Sequence, residues 1–356
     1  MNKKTCLFDE HQKLHARFTE FGGWDMPVFY TTIMEEHAAV RNNAGLFDTS
    51  HMGEITVGGA GAVAFLNRMT TVNVPAITEG QARYGFLLNE AGGVIDDLII
   101  YRRSDDFLLI VNASNADKDF EWLRQHQTPD ATMERLNDLC LLALQGPASE
   151  KILQPLIREN LEGLKYYYSV KPTFKSLSPS FAFLARTGYT GEDGFEILVN
   201  SSSAVPLWNA LLAAGAKPCG LGCRDTLRLE AGMPLHGHEI DETTTPLEAG
   251  LGRTIFWDKE FIGKQALIAQ KEKGLSKFLT AFRMAGGIPR AHCAIMVNGR
   301  VAGQVVSGTF SPTLKTGIGM GFVNRQLESG TKIDIIIHDQ PRAAEIVRRP
   351  FYKRKS

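Results

Sequence analysis

Two adjacent carboxylates stand inside a stretch that otherwise has the composition of a buried β-strand. The stretch is GGVIDDLIIY, and the two acids are Asp96 and Asp97. Side chains of a strand alternate between its two faces, so one of the acids must share the buried face, whichever face that is. Burying an unpaired carboxylate is costly. The pattern therefore predicts that one of these acids has a fixed partner or a chemical role.

Length and composition limit the possible classes of protein. A chain of 356 residues predicts two or three domains. The 39 basic residues balance the 39 acidic ones, which argues against nucleic acid or a membrane surface as a partner. The N-terminus lacks the apolar core of a signal peptide, and no apolar run is long enough to span a bilayer. Five irregularly spaced cysteines fit a reducing compartment, so we expect a cytoplasmic protein.

Periodicity and turn residues predict an order of elements. A helix is expected over residues 8–20, ended by Gly22 and Gly23, and a second one in IMEEHAAVRNNAGLFD. Further helices are predicted in AVAFLNRMT, ADKDFEWLRQHQ and AVPLWNALLAAG, and buried strands in LCLLALQGP and around the glycine-rich turn of FAFLARTGYTGEDGFEILVN. KEKGLSK, residues 271–277, is a predicted linker. The hairpin signal Asn298-Gly299 beyond it indicates a small all-β domain.

Two motifs suggest ligand sites only weakly. Gly59-Ala60-Gly61 imitates a dinucleotide fingerprint, but a tight strand-to-helix turn explains it better. His236, His238 and Asp241 in LHGHEID could ligate a metal, but further ligands are missing. We therefore expect hydrogen-bonded or surface histidines there, and no metal.

The segment RTGYTGEDGFEI is a stronger candidate. Its glycines allow a flat ligand to approach the backbone closely, and Tyr189 offers a ring for stacking. Glu192 and Asp193 fall in the turn, where solvated acids are expected. Glu196 lies in the outgoing strand, where its carboxylate can accept two parallel N–H bonds from a heterocycle such as a pterin or guanine. An ordinary polar hairpin explains the segment about as well.

Two arginines follow in GLGCRDTLRLEAGMPL. A helix from Asp225 places Arg224 and Arg228 four residues apart on one face. Arg228 lies between two leucines, which predicts partial burial. A guanidinium held in this way suits a fixed anionic or carbonyl oxygen.

Taken together, these stretches resemble the aminomethyltransferase, or T-protein, family of the glycine cleavage system over the whole chain. The resemblance implies an α+β fold of three domains in a clover-leaf arrangement around a central folate channel. Residues 1–52 plus 137–272 would form a discontinuous folate-binding domain, residues 53–136 an inserted α+β domain with Asp97, and residues 273–356 a small β-barrel. The matching stretches, in family order, are FGGWDMPVFY, VRNNAGLFDTSHMGE, GGVIDDLIIYR, LQGP, RTGYTGEDGFEI, GLGCRDTLRLEAGMPL and SGTFSPTLKTGIGMGFV.

The activity that the resemblance implies is a one-carbon transfer to tetrahydrofolate. The family takes an aminomethyl group from the lipoyl arm of a carrier, the H-protein, releases ammonia and forms 5,10-methylenetetrahydrofolate. Two related functions stay open: a folate-dependent demethylase of another small methylated compound, and a folate-binding iron–sulfur maintenance protein. The second is disfavoured because its KGC signature is absent from this sequence.

The resemblance also assigns residues. Asp97 would be catalytic, stabilising an iminium-like cation and orienting N10 of the folate, whereas Asp96 would be structural. Glu196 would hold the pterin edge, and Arg228 would complete the folate contacts. His236 replaces a tyrosine common in the family, which leaves the folate contact there open. The remaining expected folate contacts are Tyr84, Tyr101, Tyr189, Asn112, Met52 and Trp24.

Overall fold

The structure is a computed structural model that describes residues 2–354. The chain divides into two compact units. Unit 1 holds the described residues up to Leu66, together with Asn73–Tyr84 and Leu98–Asp225. Unit 2 holds Asn67–Val72, Gly85–Asp97 and the described residues from Thr226 onward. The three-domain bounds predicted from the sequence are a finer division and stay a prediction.

The described residues contain eight α-helices. Helix α2 begins after the cap residue Thr32, whose hydroxyl oxygen accepts the backbone N–H of Glu35 at 3.2 Å. Among the described residues, no helix is long and apolar enough to cross a membrane. The bounds are α1 Phe8–Lys13, α2 Ile33–Asn42, α3 Ala62–Met69, α4 Ala116–Gln125, α5 Ser149–Leu153, α6 Ala204–Ala213, α7 Leu221–Glu230 and α8 Lys264–Lys273.

The first thirteen strands form a hairpin and two sheets. Their bounds are β1 Arg17–Phe21, β2 Trp24–Phe29, β3 Gly45–Asp48, β4 Gly53–Gly58, β5 Ala82–Leu88, β6 Val94–Arg102, β7 Asp106–Val111, β8 Thr132–Leu136, β9 Leu139–Gln145, β10 Ser169–Val170, β11 Ala182–Ala185, β12 Gly194–Asn200 and β13 Lys217–Pro218. The hairpin is β1-β2, and the sheets have the orders β10-β11-β12-β9-β3-β13 and β5-β6-β7-β4-β8.

The last six strands close into a barrel within unit 2. Their bounds are β14 Phe278–Met284, β15 Ala294–Val297, β16 Arg300–Ser311, β17 Thr316–Val323, β18 Lys332–Ile337 and β19 Gln340–Val347. The closed order is β14-β17-β16-β15-β18-β19. Asn298 and Gly299 connect β15 to β16 with φ of 52° and 75°, which is the conformation of a two-residue hairpin turn. The predicted α+β fold with a C-terminal barrel is confirmed.

The predicted helix over residues 8–20 is wrong in its second half. Helix α1 ends at Lys13, and strand β1 begins at Arg17. Gly22 and Gly23, with φ of 58° and 84°, form the turn that joins β1 to the antiparallel strand β2. The glycines therefore close a hairpin instead of ending a helix. Pairing with the aromatic strand that follows overrides the local helical spacing.

Two other expectations near the turns have different outcomes. The strand-to-helix turn at Gly59 is confirmed: its φ is 87°, and a Cβ there would lie 2.5 Å from the carbonyl oxygen of Asp130. The linker predicted over residues 271–277 is partly wrong, because α8 continues to Lys273. Gly274, with φ of 90°, ends that helix, and the first barrel strand begins at Phe278. The connecting segment is therefore limited to residues 274–277.

A buried polar network ties the N-terminal helix of unit 1 to strand β3. His11 Nε2 donates to Asp48 Oδ2 at 2.8 Å, and Thr5 Oγ1 donates to the same oxygen at 2.6 Å. The backbone N–H of Ser50 donates to Asp48 Oδ1 at 2.9 Å. Burial alone would raise the pKa of Asp48, but the hydrogen bond from His11, its charge, and the bonds from Ser50 and Thr5 together lower it.

This network predicts a loss of stability in acid. A carboxyl whose pKa is lower in the folded state stabilises that state above its unfolded pKa, here 3.8, and loses this contribution as the pH falls further. Urea unfolding of the wild type and of Asp48→Asn, followed from pH 6 to pH 2.5, should therefore show a difference in free energy of unfolding that shrinks below about pH 4. A difference that is constant with pH would contradict this role for Asp48.

Candidate active site

The acid pair of strand β6 is divided between two environments. Asp96 is completely buried, whereas Asp97 is half-buried. The alternation along the strand thus sends one acid into the interior, as the sequence analysis required. Asp97 is the last residue of its segment of unit 2. Its catalytic role stays a prediction.

Glu196 is the centre of a hydrogen-bonded group in unit 1. Thr187 Oγ1 donates to Glu196 Oε2 at 2.5 Å, and Tyr101 Oη donates to the same oxygen at 3.4 Å. The hydroxyls of Tyr101 and Thr187 lie 3.0 Å apart. Burial, and then the charge of Glu196, raise the pKa of Tyr101 well above its ordinary value. Tyr101 therefore keeps its proton and serves as a donor to the carboxylate.

The glycine-rich turn before Glu196 rests on the side chain of Gln145. Gln145 Nε2 donates to the carbonyl oxygen of Thr187 at 3.0 Å, and Thr190 Oγ1 donates to Gln145 Oε1 at 2.9 Å. A Cβ at Gly188 would lie 1.9 Å from Gln145 Oε1, and one at Gly194 would lie 2.5 Å from Nε2. A side chain at either position would therefore displace the Gln145 amide, and at Gly194 it would also meet the carbonyl oxygen of Leu144 at 2.5 Å.

The expectation that Glu192 and Asp193 are solvated acids is wrong. Glu192 is buried, and its Oε1 lies 2.8 Å from Arg41 Nη1. Asp193 pairs with Arg186 at 2.5 Å and 2.9 Å through both of its carboxylate oxygens. These ion pairs fix the outer part of the turn, because they hold it to α2 and to the end of β11.

Arg224 provides a cation beside the same group. Its guanidinium carbon lies 5.0 Å from the centre of the Tyr189 ring. Burial lowers the pKa of Arg224, while the charge of Glu196 raises it, and a guanidinium stays protonated in either case. Among residues 2–354, Arg224 Nη1 is buried without a hydrogen-bond partner. A buried N–H donor in this state needs an acceptor from a ligand or a water.

His51 lies near Arg224. Burial, and then the charge of Arg224, lower the pKa of His51 to about 4, so the imidazole is neutral near neutral pH. Its ring meets the ring of Phe21 edge-on, with the centroids 5.6 Å apart. Its Nδ1 has no hydrogen-bond partner in the part of the chain that the structure describes.

Arg228, which the sequence analysis favoured over Arg224, has different surroundings. Its guanidinium is 2% exposed and donates to Glu239 Oε2 at 3.0 Å and to Ser307 Oγ at 2.8 Å. It also donates to the carbonyl oxygen of Met233 at 3.2 Å. All four residues belong to unit 2. The predicted burial is therefore observed, and the predicted folate contact stays untested.

The three candidate metal ligands of LHGHEID, His236, His238 and Asp241, each have their own hydrogen bonds in unit 2. His236 Nε2 donates to the carbonyl oxygen of Val94 at 3.3 Å. His238 Nδ1 lies 3.0 Å from the carbonyl oxygen of Val306. Asp241 Oδ1 accepts the backbone N–H and the hydroxyl of Thr243, both at 2.8 Å. These bonds fit the expectation of hydrogen-bonded histidines.

The remaining predicted residues are spread over several elements of unit 1. Met52 packs against the apolar cluster that contains Tyr101. Tyr84 is half-buried in β5, and Asn112 is half-buried directly after β7. Trp24 is half-buried at the start of β2, where the ammonium group of Lys3 lies 5.6 Å from its ring centre. Their predicted ligand contacts stay predictions.

Unit 1 thus brings together Tyr101, Glu196 and, through Arg224, Tyr189. No role for Thr187 or His51 was predicted from the sequence, and Arg228 rather than Arg224 was predicted to contact the ligand. Thr187 lies inside the turn motif, and His51 lies inside the stretch that ends in HMGE. Their positions were therefore within the recognised motifs, but their orientations come from the fold.

Comparisons with known proteins agree along the whole chain. Residues 7–259 match the family described as GCVT N-terminal domain, and residues 277–353 match the glycine cleavage T-protein C-terminal barrel domain. An aminomethyltransferase of Halothermothrix orenii is 48% identical over 98% of this chain and 99% of its own length. That of Rubrobacter xylanophilus is 46% identical over 99% and 95%.

A solved structure is similar in both sequence and fold. The crystal structure of glycine cleavage system aminomethyltransferase T from Bartonella henselae has a TM-score of 0.94 and 34% identity, and the match covers 100% of this chain and 99% of that one. Matches to both family domains and full-length likeness to curated relatives point the same way. The chain belongs to the glycine cleavage T-protein family of aminomethyltransferases.

Proposed function

We propose that the protein transfers the carbon of an aminomethyl group, carried on the lipoyl arm of an H-protein, to tetrahydrofolate. The products are ammonia, the dihydrolipoyl carrier and 5,10-methylenetetrahydrofolate. The two N–H hydrogens of the folate leave as the carbon bridges N5 and N10. One completes the thiol of the carrier and the other completes ammonia, so no oxidant is required.

Glu196 and Arg224 are proposed to bind the pterin ring. The carboxylate of Glu196 accepts N–H groups of the aminopyrimidine edge of the pterin. The unpartnered Nη1 of Arg224 donates to the carbonyl oxygen next to that edge on the same ring. Tyr189, which already lies against Arg224, supplies an aromatic face. Thr187 and Tyr101 orient the carboxylate of Glu196. The unpartnered buried donor of Arg224 is the observation that carries this assignment.

Asp97 is proposed as the catalytic residue. As ammonia departs, the carbon develops positive charge, and a nearby carboxylate stabilises this charge more in the transition state than in the ground state. The half-buried position of Asp97 strengthens such an interaction, because partial exclusion of water lowers the local screening.

The reverse reaction provides the test. Purified protein is mixed with lipoylated H-protein in its reduced, dihydrolipoyl form, 5,10-methylenetetrahydrofolate and ammonium, and the aminomethylated carrier is sought by intact mass. We expect the carrier to gain the mass of the aminomethyl group only when all three components are present. Failure to form this adduct, where an established T-protein forms it in parallel, would overturn the proposed function.

A further inference from the structure

Glu54 is a buried acid with no place in the site described so far. It lies in strand β4 of unit 1 and is 8% exposed. Burial alone raises the pKa of Glu54 to about 8, so the carboxyl is protonated near neutral pH. Its Oε1 has no hydrogen-bond partner in residues 2–354. A native protein seldom leaves a buried polar atom unpaired unless a ligand or a water completes it.

The sheet register shows which face carries Glu54. Glu54 lies opposite Ile110 of β7 on one side and Leu136 of β8 on the other. Ile110 in turn lies opposite Ile99 of β6. Side chains of directly opposed residues point to the same face of a sheet, and Tyr101 is two residues from Ile99. Glu54 and Tyr101 therefore point to the same face.

The side chains directly opposite Glu54 on this face are apolar. Ile110 and Tyr101 are buried in one hydrophobic cluster, and Ile99, Leu136 and Met52 pack against it. Tyr101 is the member whose hydroxyl reaches Glu196. The same face thus presents a polar group toward the candidate site at Tyr101 and a neutral acid at Glu54. The two lie two strands apart and are offset by two residues, which amounts to about 12 Å.

From this arrangement we propose that Glu54 is a folate-binding residue that donates its O–H to the amide carbonyl oxygen of the aminobenzoyl group. This inference rests on the proposed function. A ligand whose pterin edge is held by Glu196 and whose body extends along this face brings its aromatic ring against Ile99, which is half-buried and in register with Glu54. The amide carbonyl at the end of that ring is a neutral acceptor, which a protonated carboxyl in an apolar wall can pair.

The test compares two reduced pterins that differ in this part of the molecule. Tetrahydrofolate contains the aminobenzoyl amide, and 6-methyltetrahydropterin lacks it. For Glu54→Met, which keeps the length but loses the hydrogen bond, we expect the Kd of tetrahydrofolate to rise about tenfold. For Glu54→Gln, which keeps a donor, we expect a change of less than about threefold. The Kd of 6-methyltetrahydropterin should be unchanged in both variants.

Two controls separate binding from folding. Glu134 is an exposed acid on the same sheet face, opposite Thr56, and Glu134→Met should change neither Kd. Glu54→Met should raise the midpoint temperature of thermal unfolding, because it removes a buried unpaired carboxyl.

The inference is overturned if Glu54→Met binds tetrahydrofolate as tightly as the wild type does, or if it weakens both pterins by the same factor. In these cases the proposed function is unaffected. If the wild type binds neither pterin, the proposed function itself fails, and the inference fails with it.

Discussion

Asp97→Asn should lower the turnover number by about a hundredfold or more and leave the Kd of tetrahydrofolate within about threefold of the wild type. The amide has the shape of the carboxylate but no charge, so it cannot stabilise the cation that forms as ammonia leaves. Ground-state binding does not depend on this cation. Single-turnover measurements with the aminomethylated carrier, beside equilibrium titration with tetrahydrofolate, check both parts.

Glu196→Ala is the matched contrast for this prediction. It removes the acceptor that Thr187 and Tyr101 orient. We therefore expect a large rise in the Kd of tetrahydrofolate and a much smaller fall in the turnover number at saturating folate. If Asp97→Asn turned over at the normal rate, or lost affinity as strongly as Glu196→Ala does, the catalytic role of Asp97 would be wrong.

Glu239→Ala should lower the free energy of unfolding by about 3–5 kcal/mol. The Arg228–Glu239 pair is buried, with the two side chains 2% and 0% exposed. Removing the carboxylate leaves a guanidinium in the interior without its counter-charge, which costs far more than losing an ordinary hydrogen bond. Chemical denaturation monitored by circular dichroism measures the difference.

An exposed ion pair in the same unit is the control. Lys332 and Glu345 lie 2.5 Å apart on neighbouring strands of the barrel, with side chains 79% and 37% exposed. Glu345→Ala should cost less than about 1 kcal/mol. Equal losses in the two variants would show that burial does not set the strength of the Arg228–Glu239 pair.

A double replacement decides whether Arg228 also contacts folate. Changing Arg228 and Glu239 together to methionine removes both buried charges and should recover much of the lost stability. If Arg228 is purely structural, the recovered protein should bind tetrahydrofolate as the wild type does. A weakened affinity in a stable double variant would support the contact predicted from the sequence.

Local chemistry made several elements predictable from the sequence. The Asn298-Gly299 hairpin follows from the positive φ values that these two residues tolerate. Helix α2 follows from its early acids and its late Arg41. The family resemblance, which depends on many short stretches in order, gave the barrel and the α+β class that the structure and the comparisons confirm.

Features that depend on distant partners were not predictable in this way. Residues 17–21 have a helical spacing but pair as a strand with the segment after Gly23. Glu192 looks like a solvated turn acid, yet its partner Arg41 is 151 positions away in the sequence. The choice between Arg224 and Arg228 likewise depends on which neighbours the fold supplies, because both arginines share the same motif.

The support of the glycine-rich turn by Gln145 has a thermodynamic consequence. With an amide filling the space under Gly188 and Gly194, the loop already holds one shape before any vitamin arrives. Little conformational entropy is then lost when the heterocycle docks, so more of its contact energy is expressed as affinity. Glycine, ordinarily the most flexible residue, here serves preorganisation.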